Sequence, residues 1–404
     1  MPLLSVDDAL KIILADANPS ASERLPLQSA GGRILSEPVS AKLLQPPFDC
    51  SAMDGYAIIA PENSAYPVTF EIIGESVAGS RFEGNLTEGQ AVRIFTGAPM
   101  PAGADTVVIQ EYTDRSGNSL IVHEGIEKGR HIRKAGLDFA PGDIVLDVGK
   151  ELDSTALSLA AASGNADLSV FKMPRIAILA TGDELVSPGT IPGPDQIVAS
   201  NSIGIAEIVR TSGGIAQDLG IVSDELTLIE SAINQALDSD IDILVTIGGA
   251  SVGDRDLVHT ALQACGVELG FWKIAMRPGK PLMYGHRMRD NKAVCVIGLP
   301  GNPVSSLVCS LVFLRPLISK LAGRRQTEPD LTARLGTALP ANAFRRNFIR
   351  AALRKADDGS WIATPHPIQD SSILTAMANS QALIIREENA PPASAGDFCR
   401  ILPL

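Results

Sequence analysis

The sequence predicts a multidomain α/β plus β protein, with a parallel-sheet domain set between β-rich regions. Three observations carry this. Between about residues 175 and 323, short apolar runs alternate regularly with helix-like stretches. On both sides of that span the pattern changes to short β-type runs broken by Gly, Pro and Asn. Finally, 404 residues, 45% hydrophobic and 20% charged, can bury more than one core, and the length suggests roughly two to four domains.

The elements follow in order. Ser5 to Asp8 reads as a capping box ahead of Ala9, Leu10, Ile12, Ile13 and Leu14, an amphipathic helix that Asn18-Pro19 ends. From residue 25 to about 167, the runs at 68–73, 90–95, 106–110, 120–123 and 144–146 predict strands of barrel or sandwich pieces. A short alanine-rich helix is expected at 155–162, then a linker at 171–174. In the central span strands fall at 176–180, 216–222, 243–247 and 293–297, with helices at 203–211, 225–237, 256–265 and 304–321. Apolar strands joined by helices mean a parallel sheet buried on both faces. Ligands of such sheets sit beyond the carboxyl ends of the strands. Strand-like runs return at 348–353, 361–364, 382–386 and 398–402, giving a small C-terminal β domain.

Composition excludes several classes. The formal charge is 34 Lys+Arg minus 46 Asp+Glu, or −12, which argues against a general binder of nucleic acid or anionic membrane. An anionic ligand therefore needs a local cluster of cations. The five cysteines, Cys50, Cys265, Cys295, Cys309 and Cys399, form no C-x-x-C pair and are expected as reduced thiols of a cytoplasmic protein. The N-terminus lacks the basic region and cleavage site of a signal peptide. No apolar run approaches the roughly 18 residues that span a bilayer, so a soluble protein is expected.

The loops after the sheet strands carry the chemistry. The strand at 176–180 runs into Thr181-Gly182-Asp183-Glu184, and that at 216–222 into Ser223-Asp224. The strand at 243–247 leads to GGASVGD at 248–254, and that at 293–297 to GLPGNPVS at 298–305. The Gly-Gly loop is either a tight strand-to-helix turn or a cradle whose N–H groups face an oxyanion. Glu184, Asp224 and Asp256 come from three loops of one edge. Asp224 and Asp256 are either helix N-caps or, with Glu184, ligands of a hard cation or acid–base groups. Against them stand Lys273, Arg277 and Lys280, three cations in eight residues of an otherwise acidic chain. Pro278 and Pro281 exclude a regular helix there, so an ordered extended loop is expected, which either binds an oxyanion or is a surface charge run, the first suiting cations on a stiff loop better.

Seven islands, SAMDGYA (51–57), TGAP (96–99), IRKAGLD (132–138), TGDEL (181–185), GGASVGD, FWKIAMRPGKP (271–281) and GLPGNPVS, resemble the molybdopterin molybdenumtransferase family of MoeA-type enzymes and gephyrin E-domains. They occur in the family's order, over nearly the whole chain. The resemblance implies an elongated four-part subunit that dimerises. An N-terminal helix (1–24) packs on the sheet domain, and the four parts are a β domain from 25–45 and 139–170, a β-rich domain at 46–138, a doubly wound sheet domain at 171–323 like that of the molybdopterin adenylyltransferases, and a C-terminal β-barrel-like domain at 324–404. The implied reaction inserts molybdate into the dithiolene of adenylylated molybdopterin, releasing AMP with Mg²⁺ as cofactor. Implied partners are those two substrates, a second subunit, molybdopterin adenylyltransferase and proteins that mature molybdoenzymes.

Residue by residue, the resemblance implies catalytic roles for Asp54, Thr96, Asp138, Glu184 and Asp256. It implies substrate binding by Arg133, Gly248, Gly249, Ser251, Lys273, Arg277, Lys280, Pro300, Pro303 and Ser371, and metal binding by Glu184, Asp224 and Asp256. Asp54 and Asp138 are expected from the partner subunit. Three positions depart from the family pattern: Arg277 stands where lysine is frequent, Ala199 replaces an acid before Ser200-Asn201, and Asp370-Ser371-Ser372 replaces a more glycine-rich turn. The rival readings are a molybdopterin adenylyltransferase-type nucleotide enzyme and a gephyrin-like scaffold.

Overall fold

The structure is a computed structural model that describes residues 3–15, 17–63, 65–248, 257–290, 292–325 and 331–404. It divides into two compact units, Arg24–Val170 and a second made of Met1–Glu23 with Phe171–Leu404.

In the second unit a six-stranded sheet runs Ile215–Val222, Arg175–Thr181, Ile243–Ile247, Lys292–Leu299, Pro281–Arg289, Glu268–Lys273. The first four strands are parallel, and Pro281–Arg289 pairs antiparallel with both Lys292–Leu299 and Glu268–Lys273. The apolar runs are continuous because their two faces enter different cores. Ile176, Ile178, Ile243, Val245, Ile297 and Leu299 pack beneath Val6–Ala15, Asn201–Thr211 and the helical run from Pro303 to Leu321. Ala177, Leu179, Leu244, Val294 and Val296 pack against Leu226–Asp238 and Leu257–Ala264. Helices on both faces make the sheet doubly wound. Ser5 caps the first helix as its sequence predicts: Asp8 N–H donates to Ser5 Oγ at 3.1 Å, and the hydroxyl donates to Asp8 Oδ2 at 2.7 Å.

The antiparallel pairings correct the expected purely parallel sheet and the expected extended loop. Pro281 is the first residue of a strand, where a missing N–H removes no ladder bond, so it does not forbid pairing. Lys273 closes the strand Glu268–Lys273, opposite Pro281. Helix Pro303–Leu321 is long and apolar enough to cross a membrane by length and composition, although no uninterrupted apolar run has that length; 61% of it is buried inside the protein.

The C-terminal sheet closes on itself. Arg346–Lys355, Trp361–Pro365, Leu331–Leu335, Phe398–Pro403 and Ala382–Arg386 pair in that order, and the last pairs again with the first. This five-stranded barrel is filled by Ala333, Leu335, Ile349, Ala351, Ala363, Ile384, Cys399 and Ile401. Met276–Arg277 adds to its edge, parallel to Arg346–Asn347.

The Arg24–Val170 unit has its own six-stranded sheet, ordered Thr106–Ile109, Gly55–Ile58, Gln90–Ile94, Val68–Ser76, Ser119–Val122, Thr113–Ser116. Tyr56, Ile58, Phe70, Val108 and Leu120 line one core, and Ala57, Ile94 and Val107 another. A third cluster packs Leu35, Val39, Leu146 and Leu168 on the helix Ser154–Ala162, which Asp153 caps by accepting from Ala156 N–H at 2.8 Å. None of the five cysteines is in a disulfide, and four of them are buried, Cys295 being partly exposed.

Candidate active site

In the Arg24–Val170 unit three of the islands meet. Ser51 pairs with Ile132, and Arg133 with Cys50. Ala52 N–H donates to His131 O, and Gly97 N–H to Ser51 O, each at 2.8 Å. These contacts bring Asp54 to Thr96: Asp54 Oδ1 accepts from Thr96 N–H at 2.7 Å and from its hydroxyl at 2.8 Å. The two bonds, the backbone one foremost, hold the exposed Asp54 carboxyl below its ordinary pKa, and the charge of Arg93 adds to the effect. Arg93 is fixed over the rings of Tyr56 and Phe95, at 5.0 and 4.6 Å, while donating to Gly55 O and Gln110 Oε1.

Two glycines are demanded by this geometry. A Cβ on Gly55 would stand 1.9 Å from Val108 O. Gly97, at φ +82°, takes the left-handed turn that follows Thr96 and donates its own N–H to Ser51 O. Lys134 Nζ donates to Asp49 Oδ2 at 2.8 Å, and Ala135 N–H to Asp49 Oδ1 at 2.9 Å, tying the third island to the first. Those bonds, Lys134 first, also lower the Asp49 pKa. Arg133 and Asp138 are exposed on that third island, and Asp138 N–H donates to Gln45 O at 2.9 Å.

In the second unit, strand order reverses between Arg175–Thr181 and Ile243–Ile247, the point where ligands of doubly wound sheets bind. Gly182 N–H donates to Val222 O, and Asp224 N–H to Asp183 Oδ1 at 3.0 Å. Asp224 is therefore not a side-chain cap: Glu225 occupies the cap position of Leu226–Asp238, with no side-chain capping bond. Burial first, then Asp183 and Glu184, push the Asp224 pKa up. Gly248 begins the glycine loop at φ +97°, and a Cβ there would lie 2.6 Å from Thr181 O, so the loops of the two strands touch. Gly249, Ser251 and Asp256 lie outside the described residues.

The GLPGNPVS loop is held by Asn201, whose Nδ2 donates to Gly301 O at 2.7 Å, and by the Ser306 hydroxyl, which donates to Pro300 O. Pro300 is buried; Pro303 opens the helix Pro303–Cys309, where its missing N–H costs nothing. The next amide, Val304 N–H, donates to Ser371 O at 3.1 Å, which brings the Asp370-Ser371-Ser372 turn to this helix start. The fully buried Arg350 braces that turn, donating from Nη1 to Asp370 O at 2.8 Å and from Nε to Gln369 Oε1 at 3.3 Å.

Lys273, Arg277 and Lys280 are all exposed around one tight reversal. Ile274 N–H donates to Lys280 O at 3.3 Å. Gly279, at φ +105°, packs so closely on helix Pro303–Cys309 that a Cβ would meet Cys309 Sγ at 2.4 Å.

Three family models match in succession: the MoeA N-terminal region (domain I and II) over residues 4–164, a probable molybdopterin binding domain over 177–320, and the MoeA C-terminal region (domain IV) over 332–404. The molybdopterin molybdenumtransferase of Haemophilus influenzae is 33% identical over 405 residues, covering 99% of this chain and 98% of that protein. That of Nostoc sp. is 37% identical, covering 100% and 94%. The chain belongs to the molybdopterin molybdenumtransferase family. The crystal structure of the molybdopterin biosynthesis MoeA protein from Pyrococcus horikoshii OT3 superposes with a TM-score of 0.84 at 27% identity, covering each chain fully.

Among the family positions named from sequence, the fold joins Asp54 to Thr96, Asp224 to the Asp183–Glu184 pair and Ser371 to the helix that Pro303 opens, and it sets the three cations on one reversal. Among the described residues, no group of three His, Cys, Asp or Glu side chains is placed to hold a metal ion. Within the second unit Asp183, Asn201 and Arg350, and within the Arg24–Val170 unit the Asp49–Lys134 pair, adjoin these positions and are not singled out by the sequence reading. Asp183 carries a signal, since it sits in the TGDEL island; a buried Arg350 in a β-type run offers none.

Proposed function

We propose that this protein inserts molybdate into the dithiolene of adenylylated molybdopterin and releases AMP. The carrying observation is full-length similarity, at 33% and 37% identity, to proteins named molybdopterin molybdenumtransferase. The β-rich regions flanking the sheet domain disfavour an adenylyltransferase, and the match over the full length of named transferases disfavours a scaffold.

The chemistry asks for local cations and oriented acids. Water splits the phosphoanhydride between AMP and the molybdopterin phosphate. Two thiolate sulfurs bind molybdenum while two protons carry one oxo group of molybdate away as water. Lys273, Arg277 and Lys280 neutralise the oxyanions, and Gly248, Gly249 and Ser251 belong to the loop that binds phosphate, Gly248 by shaping the turn, since its own N–H donates to Leu299 O at 3.2 Å. Asp54, oriented by Thr96, and Asp138 with Arg133 complete the site from a second subunit. Pro300, Pro303 and Ser371 shape the neighbouring wall. Exposed Leu43, Leu137 and Ile144, at 53%, 67% and 61%, suit a homodimer contact.

Mg²⁺ fits the donor set. Asp183 and Glu184 raise the pKa of Asp224, a repulsion that a hard cation relieves. Mg²⁺ keeps several waters and needs only one or two carboxylates besides substrate phosphates, so no three-acid cage is required. One or two of Glu184, Asp224 and Asp256 would hold it, and bound there it would offset charge on the breaking phosphoanhydride. Mostly buried thiols outside any disulfide support a cytoplasmic setting. The further partners are the adenylyltransferase that supplies the substrate and the proteins that deliver the product to molybdoenzymes.

The test mixes purified protein with adenylyl-molybdopterin and molybdate, with and without Mg²⁺, and follows AMP release and active cofactor. Both should appear together and depend on Mg²⁺; neither appearing overturns the reading.

A further inference from the structure

The segment that carries the cations is gripped from both sides, by Leu4 near the start of the chain and by the barrel strand Arg346–Lys355. On one side Leu4 N–H donates to Lys273 O at 3.1 Å, and Ala275 N–H donates to Leu4 O at 2.7 Å. On the other, Arg346 N–H donates to Ala275 O at 2.9 Å, and Met276 and Arg277 lie in register with Arg346 and Asn347 of the barrel.

One side chain joins the two jaws. Arg346 Nη1 and Nη2 donate to Asp7 Oδ1 and Oδ2 at 2.7 and 2.9 Å, a bidentate fork reaching into the first turn of the N-terminal helix. Its Nε stands 2.7 Å from Glu387 Oε2 and 3.6 Å from Glu388 Oε2, without the alignment of a hydrogen bond. The Arg346 side chain is only 12% exposed. Solvated ion pairs are weak, but a forked pair with one buried partner fixes geometry as well as charge.

We propose that Arg346 and Asp7 are positioning residues for the cation segment. They close a clamp made of Leu4 and the barrel strand around residues 273–277. Neither touches substrate; both act by holding the backbone from which Lys273 and Arg277 reach an oxyanion. Long side chains bind a small anion well only when their backbone does not have to be ordered at the moment of binding. The assignment to molybdate rests on the proposed function, whereas the clamp itself does not.

Full-length Asp7→Asn, Asp7→Glu and Arg346→Lys proteins test it, beside Ile401→Val, a barrel-interior change outside the clamp that lowers stability. Amide hydrogen exchange of residues 274–277, thermal midpoints and the molybdate dependence of AMP release are measured on each. Asp7→Asn and Arg346→Lys should speed exchange at Ala275 and raise the molybdate KM about fivefold with kcat changed less than about twofold, the signature of lost binding rather than lost chemistry. Asp7→Glu should restore most of the KM, and Ile401→Val should lower the midpoint without moving KM. An unchanged KM in Asp7→Asn and Arg346→Lys, or an equal rise in Ile401→Val, overturns the positioning role. If the native protein inserts no molybdenum, the functional reading falls by itself. The exchange rates then decide the clamp: unaltered exchange in Asp7→Asn and Arg346→Lys refutes it.

Discussion

Asp54 Oδ1 receives both hydrogen-bond donors of Thr96, a residue 42 positions later, so the acid and the TGAP turn form one unit. Asp54→Asn should lower molybdenum insertion by about a hundredfold or more, and Thr96→Val, which keeps the backbone donor, by about tenfold. Matched circular dichroism spectra of the variants would tie the loss to the site. Retention of full activity by Asp54→Asn would remove this acid from the mechanism.

The pH dependence of that acid has a definite sign. Its folded pKa is depressed, so its contribution to stability is complete above the unfolded value of about 3.9 and is lost as pH falls through the folded pKa. At neutral pH and above, Asp54 should stay ionised. Carboxyl chemical shifts followed from about pH 5 upward should show no titration.

Asp224 behaves oppositely. Burial and its acidic neighbours raise its folded pKa, so it costs stability increasingly as pH rises from the unfolded value through the folded one, and the cost is complete above the folded pKa. Asp224→Asn should unfold at a slightly higher temperature near neutral pH while inserting molybdenum more slowly. Mg²⁺ should raise the midpoint of the native protein more than that of the variant, as differential scanning fluorimetry would show.

Gly55→Ala should destabilise the Arg24–Val170 unit by at least about 2 kcal/mol, because the new methyl would overlap Val108 O on the adjacent strand. Denaturant unfolding followed by hydrogen exchange would place the loss in that unit, with the sheet of the other unit still protected.

Arg277→Lys keeps the charge but loses the planar fork, and Lys273→Ala loses a charge outright. The first should raise the molybdate KM a few fold and the second about tenfold, the latter with a weaker salt dependence. Kinetics at two ionic strengths would separate them.

Much of the site is legible in residue order. TGDEL, the Gly248 turn and GLPGNPVS each follow an apolar run, and a parallel sheet delivers such loops to one edge. The cation cluster is visible as a charge anomaly, whereas its strand setting is not. Gly270, Pro278, Gly279 and Pro281 interrupt the apolar pattern in and after Glu268–Lys273, yet pairing of Glu268 with His286 and of Lys273 with Pro281 makes strands of both sides.

Local pattern determined the apolar strands at 176–180 and 243–247, the capped first helix and the glycine turns, because side-chain periodicity and backbone preference act over a few residues. Tertiary structure alone decided which distant groups meet. Thr96 reaches Asp54 across 42 positions, and Arg346 reaches Asp7 across 339. Such pairs are fixed by strand order and by the closure of the barrel, and no periodicity along the chain encodes a hydrogen bond between residues so far apart.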